Sequence, residues 1–194
     1  METIVKSASS EQKNALISTI AAAFVTDPLA RWICPEAHQY FSCINEFVEA
    51  FGGASFPHGS AYYVKGYRGA ALWLPPMVQP NEEKMMAIIK DNIPDERLDA
   101  AFSVFEKMGS FHPNEPHWYL PLIGVDPSHQ ARGYGSLLMR HAVERCDREK
   151  RLAYLESSNP RNLSLYIRQG FELIGTIQVA DSPPVFPMLR KPRN

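Results

Sequence analysis

The stretch that most constrains this chain is "HWYLPLIGVDPSHQARGYGSLLMR", residues 117 to 140. An apolar run reads as a strand, and a glycine-punctuated loop then opens a helix. That helix carries Leu138, Ala142 and Cys146 on one face and Arg140, Glu144 and Arg148 on the other. A helix start presents N–H groups without intrahelical partners, together with the positive end of the macrodipole. Glycines let a ligand approach those groups closely, so a phosphate or pyrophosphate is the natural guest.

Two familiar phosphate loops fail on specific residues. A Walker loop needs lysine between the glycine and the serine, and here Ser136 follows Gly135 directly. The dinucleotide fingerprint needs a third glycine where Leu138 stands. Downstream, "LAYLES" reads as a second strand and "NPRNLSLYIRQG" as a second helix. Strand–helix–strand–helix order calls for a parallel pair of central strands inside an otherwise mixed sheet. On the second helix, Asn159 and Tyr166 lie two turns apart and share a face. Pro160 suits the first helical position, with Asn159 or Ser158 as the cap.

The rest of the chain reads as one domain over residues 1–194. "TIVKSAS" is a short strand, and "SEQKNALISTIAAAF" a helix with a capping box between Ser9 and Gln12. "LARWICP" and "EAHQYFSCINEFVEAFGG" continue a helical layer, residues 1–55, rich in aromatic side chains. "AYYVK" and "AALWLPP" are strands, followed by helices from Asn81 and through "DERLDAAFSVFEKM". "GSFHPNEP" reads as a loop, and "FELIGTIQV" and "PVFPMLR" as closing strands.

Charge and composition narrow the function. A net charge of −1 argues against a protein built to grip nucleic acid or anionic membranes. The start, "METIVKSASSEQKN", has no apolar signal core, and no apolar run is long enough to span a bilayer; a cytoplasmic protein is expected. Cys34, Cys43 and Cys146 share no metal-like spacing, so they read as buried free thiols, and no metal is expected.

The glycine loop is similar to the acyl-CoA loop of the GNAT N-acetyltransferase superfamily, Gln/Arg-x-x-Gly-x-Gly/Ala. Gln130, Gly133 and Gly135 match it, with Arg132 at an x position. "NPRNLSLYIRQGFELIG" is similar to a second signature of the family, through Asn159, Leu165, Tyr166, Gly170 and Phe171. The clear resemblance covers residues 117 to 178, and "AFVTDPLARWICP" looks more loosely like the first helical region of members acting on small molecules. It implies an α/β GNAT fold: a mixed, mostly antiparallel sheet with a splayed parallel central pair and flanking helices. The implied cosubstrate is acetyl-CoA.

Carried over residue by residue, the resemblance places the acetyl-pantetheine on the backbone of Ile123, Gly124 and Val125. Gln130, Ala131, Arg132, Gly133, Tyr134, Gly135 and Ser136 would hold the pyrophosphate, with Asn159 beside them. Tyr166 would donate a proton to the departing thiolate. The amine needs a base. In the histone-modifying branch a glutamate stands where this chain has Tyr119, a poor base with an ordinary pKa of about 10. Glu156, then His117, then Tyr119 are the candidates. Glu156 could equally be an exposed strand-end charge. Trp32, Tyr40, Trp73 and Tyr119 would form an aromatic wall, with Trp32 and Tyr119 as substrate contacts. The expected acceptor is a small, partly apolar amine, and the expected assembly a monomer or homodimer. The alternatives are a non-catalytic acyl-CoA sensor of the same fold, a protein acetyltransferase, or an ordinary nucleotide-binding α/β protein.

Overall fold

The computed structural model describes residues 4–193; Thr3 of the expected first strand lies outside them. In chain order the elements are β1 (Val5–Ser7), α1 (Lys13–Ala23), α2 (Pro28–Ile33), α3 (Ala37–Gly52), β2 (Ala61–Val64) and β3 (Gly69–Leu74). There follow α4 (Glu82–Asn92), α5 (Asp95–Phe111), β4 (His117–Val125), α6 (Tyr134–Arg148), β5 (Leu152–Ser157), α7 (Leu163–Arg168), β6 (Glu172–Leu173) and β7 (Phe186–Arg190). The strands form one seven-stranded sheet in the order β1-β2-β3-β4-β5-β7-β6. Among the described residues only β4 and β5 run parallel, because α6 carries the chain back between them.

Strand alternation divides the core into two layers. Leu72, Leu74, Tyr119, Leu122 and Tyr154 face α1 to α5, where they meet Leu16, Ile20, Val48 and Val104. Trp73, Trp118, Leu120 and Leu155 face the other side and pack on Leu138, Met139 and Ala142 of α6 and on Tyr166 of α7. Helix starts follow local rules. Ser9 and Gln12 make the expected capping box. Asp27 accepts the N–H groups of Leu29 and Ala30 ahead of Pro28. Gly124 lets α1 lie against β4, since a Cβ there would collide with Ala23 and Ile20.

Two expectations shift. α5 runs on through Gly109, Ser110 and Phe111, into the stretch read as a loop, and Phe111 packs against the core below the sheet. The expected strand "FELIGTIQV" shrinks to Glu172–Leu173 plus one bridge between Ile177 and Val185. It lies at the sheet edge with a single neighbour, β7, so the apolar run has little ladder to join.

The central strands separate for a visible reason. Leu72 pairs with Leu122 and Leu74 with Tyr119, so Trp73 alone stands opposite both Leu120 and Pro121. That is a bulge in β4, and Pro121 suits it because proline has no N–H to give to a ladder. The parallel pairing of β4 with β5 ends at Leu120 and Leu155. Beyond that point β4 follows β3 to Val125, whereas β5 follows β7 to Ser157. A gap opens between them.

Candidate active site

A cleft of about 450 Å³ runs through this gap. Its walls near the gap are Leu120 to Val125 of β4, Leu155 to Ser157 of β5, and the glycine loop with Gln130, Ala131, Gly133, Tyr134 and Gly135. Asn159, Arg161, Leu165 and Tyr166 close it from the α7 side. From there the cleft enters the helical layer among Phe24, Ile33, Tyr40, Phe47, Phe51 and Phe105.

The loop end is shaped by backbone. Gly133 has φ +80 at the N-cap of α6, and Ala131 has φ +59. Left-handed turns of this kind leave successive N–H groups pointing to one side, an anion-binding concavity. The Gln130 side chain donates to the Val125 carbonyl at 3.3 Å and ties the loop to the strand end. Tyr134 accepts from Arg68 at 2.9 Å. Arg132 and Ser136, expected among the phosphate contacts, do not line the cleft. Arg161 does, and is the cation that the sequence reading overlooked. These residues fit a pyrophosphate-bearing ligand: a concave N–H cradle, a nearby guanidinium and an unpaired strand edge.

Asn159 takes the capping role, its Oδ1 accepting the Arg161 N–H at 3.0 Å. Tyr166 is buried at 5% exposure on the α6 side of the sheet and lines the cleft. Burial, with the charge of Asp27 second, holds its phenol well above the ordinary range, so it carries its proton at neutral pH. Asp27 is buried and lines the cleft, and its Oδ2 accepts from Ser158 Oγ at 2.6 Å. Burial raises its pKa, against the lowering effect of those hydrogen bonds.

The candidate bases separate in space. Glu156 lines the cleft just past the last parallel pair, and its side chain is only 2% exposed, so it is no loose strand-end charge. Its Oε1 is buried without a hydrogen-bond partner among the described residues, 3.3 Å from His112 Nε2. His117 lies at the other end of β4, outside the cleft, and walls a second hollow of about 140 Å³. Its Nε2 is 3.1 Å from His112 Nδ1, so it approaches Glu156 only by way of His112. Burial lowers the His117 pKa. Tyr119 also faces the second hollow, and burial followed by the Glu156 charge raises its pKa, which disqualifies it as a base. His112 sits in the expected loop, where a lone His-Pro pair gave no signal.

Of Trp32, Tyr40, Trp73 and Tyr119, expected to wall the acceptor pocket, Tyr40 alone lines the cleft. Trp32 is buried beneath Arg97, whose guanidinium lies 5.8 Å from its ring, and it turns away from the cleft. Its neighbours Leu29 and Ile33, one helical turn apart, take the cleft side of α2. Trp73 belongs to the opposite face of the sheet. Tyr40 does line the cleft, its hydroxyl bonded to the Ala21 carbonyl at 2.6 Å. The acceptor half also draws Ile88, Ile89 and Ile93 from around α4 and Phe105 and Met108 from α5, beyond the 1–55 layer assigned from sequence. Cys34 and Cys43 are buried free thiols there, with sulfurs 3.7 Å apart.

The sequence profile of the acetyltransferase (GNAT) family matches residues 72–171. An uncharacterized N-acetyltransferase of Schizosaccharomyces pombe is 25% identical over 194 residues, covering 90% of this chain and 78% of its own. Among solved structures, a histone acetyltransferase HPA2 and related acetyltransferase from Corynebacterium glutamicum matches with a TM-score of 0.69 at 23% identity, over 100% of this chain and 98% of that one. Arylalkylamine N-acetyltransferase 2 from Aedes aegypti matches with a TM-score of 0.69 at 12% identity, over 97% and 98% of the two chains. Among the described residues, no helix is long and apolar enough to cross a membrane.

Proposed function

The chain belongs to the GNAT acetyltransferase family, and we propose that it moves the acetyl group of acetyl-CoA to the primary amine of a small, partly apolar molecule. Transfer is by direct attack with both substrates bound. One observation carries this reading: a single cleft joins the N–H cradle, the open edge of β4 and a pocket walled by Phe24, Phe47, Phe51 and Phe105, with Tyr166 and Glu156 both on its lining.

Each residue then has a task. The N–H groups from Ala131 to Gly135 and the Arg161 guanidinium hold the pyrophosphate. The β4 edge from Ile123 to Val125 aligns the pantetheine arm as an added strand would. Tyr166, protonated at neutral pH, gives its proton to the departing thiolate. Glu156 takes a proton from the acceptor ammonium, directly or through one water, and so frees the lone pair that attacks. Asp27, engaged by two helix N–H groups and Ser158, braces α2 against the β5–α7 turn. The acceptor half, lined mostly by aromatic and aliphatic side chains, favours an aryl or alkyl amine over a polycation.

A screen of thiol release across arylalkylamines, alkylamines and polyamines tests the whole reading. Apolar primary amines should lead. Clear preference for spermidine-like polycations would overturn the acceptor class, and no turnover with any amine would overturn the transferase reading.

A further inference from the structure

The acceptor half of the cleft holds two sulfurs to which the transfer chemistry assigns no task. Cys34 and Cys43 are both buried free thiols, and both line the cleft. Their sulfurs stand 3.7 Å apart, within reach of an S–H···S hydrogen bond, although the residues are nine positions apart in sequence. Cys34 caps the C-terminus of α2 with a non-helical φ of −118 and ψ of 82, whereas Cys43 sits inside α3. One sulfur thus hangs from a helix end and the other from a fixed helical turn. The third cysteine, Cys146, lies beneath α6 on the other side of the sheet, outside the cleft.

Hydrogen bonding makes the two thiols unequal. A carbonyl only accepts, so the Cys43 S–H donates to the Gln39 carbonyl at 3.3 Å. That leaves the Cys34 S–H to donate to Cys43 Sγ. A donated hydrogen bond favours the thiolate of its acceptor, and this one lowers the Cys43 pKa against the opposing effect of burial. The same bond, with burial second, raises the pKa of Cys34. The charges that bear on the pair are Arg31 of α2, which favours the Cys34 thiolate, and Glu46 of α3, which disfavours that of Cys43. Cys43 is therefore the nucleophile of the two, with Cys34 poised beside it.

We propose that Cys34 and Cys43 form an oxidisable dithiol in the wall of the acceptor half, which a hydroperoxide converts to a disulfide that weakens acceptor binding. The effect on binding rests on the helical half being the amine's pocket; the oxidation does not. The Cys43 thiolate attacks the terminal peroxide oxygen, the O–O bond breaks, and the alkoxide leaves as an alcohol with the proton that Cys43 gave up. Cys34 sulfur then attacks the Cys43 sulfenic acid. The S–S bond forms, the S–O bond breaks, and hydroxide leaves with the Cys34 proton as water. Two thiols are oxidised, and the hydroperoxide is reduced to one alcohol and one water. The 3.7 Å gap must shrink to about 2.0 Å for the bond to form. That draws the end of α2 toward α3 and shifts Ile33, Tyr40 and Ile44, which line the cleft beside the two cysteines.

Hydrogen peroxide added to the reduced, full-length protein tests this; with it both products are water. Mass spectrometry of unreduced peptides should find Cys34 joined to Cys43. Cys146 should remain a thiol, since burial pushes its pKa up to about 12. In the oxidised enzyme KM for an arylalkylamine should rise by roughly 10-fold, with acetyl-CoA affinity unchanged. Dithiothreitol should restore the reduced values. In Cys43→Ala the treatment should change neither KM nor the mass of the Cys34 peptide. Absence of the Cys34–Cys43 bond after oxidation of the wild type would overturn the dithiol, whether or not the variant folds. An acceptor KM unmoved by that bond, or a KM response that survives in Cys43→Ala, would overturn the effect on the acceptor. A reduced enzyme inactive toward every amine would instead overturn the transferase reading, and peptide mapping would still report the disulfide.

Discussion

The two halves of the cleft are built from different materials. The cofactor half uses backbone: the β4 edge past a bulge, a left-handed glycine and the open start of α6. The acceptor half is lined by residues drawn from α1 to α5, most of them aromatic or aliphatic. A backbone site is set by a few residues adjacent in sequence, so it shows as a motif. A side-chain site assembled from five helices shows only as scattered apolar positions, the same ones any core would have. The difference also divides what mutations should do.

The largest effect belongs at the junction of the halves. Tyr166→Phe deletes only the phenolic proton donor, so kcat should drop by roughly 10²–10⁴-fold. Binding of both substrates and the melting temperature should stay near wild type. Turnover that survives intact would make Tyr166 a core residue and leave the thiolate to depart unaided.

Gly133→Val isolates the cofactor half. Its φ of +80 strains any β-branched side chain although the space around it is open. Strain of about 1–3 kcal/mol, if relieved by reshaping the loop, weakens acetyl-CoA binding by roughly 10–100-fold. The acceptor pocket should be untouched. Calorimetry that finds full cofactor affinity in the folded variant would remove the loop from the site.

Phe47→Ala is the matching cut in the acceptor half, where Phe47 and Phe105 sit with ring centroids 6.1 Å apart. Apparent affinity for an arylalkylamine should fall by roughly 10-fold, with acetyl-CoA affinity unchanged. Combining Gly133→Val with Phe47→Ala sharpens the comparison: if the halves are separate, the two losses add within about 0.5 kcal/mol. Strong coupling would mean that the halves act as one surface.

The smallest effect is on stability. Asp27 has a raised pKa in the fold, so the folded state holds its proton more tightly than the unfolded chain does. Its contribution is present below the unfolded value near 3.9 and is lost as pH rises through the folded value. Asp27→Asn keeps a capping oxygen and should flatten the decline in melting temperature that starts above about pH 4. An unchanged slope would show that Asp27 does not set it.

The contrast explains what could be read in advance. The helix pattern, the parallel pair and the loop that opens α6 rest on periodicity and on glycine at fixed places, and local rules carry them. The bulge was also within reach, since Pro121 interrupts an apolar strand, but its signal was passed over. Trp32 was a natural guess for the pocket wall, yet rotation along α2 gives that place to Leu29 and Ile33. The cap role of Asp27 is local, whereas its contact with Ser158 joins residues 131 positions apart, which no local pattern announces.

By itself, then, the sequence determined the elements, their order and a phosphate-type cradle, because hydrogen bonding and side-chain direction within a helix or strand depend on near neighbours. Only the tertiary structure decided that Glu156 is buried rather than exposed, that His112 stands between it and His117, and that α4 and α5 complete the acceptor pocket. Those facts depend on how far strands diverge and which helix faces meet. Such contacts between distant segments are selected by packing the whole core at once, and no local pattern records them.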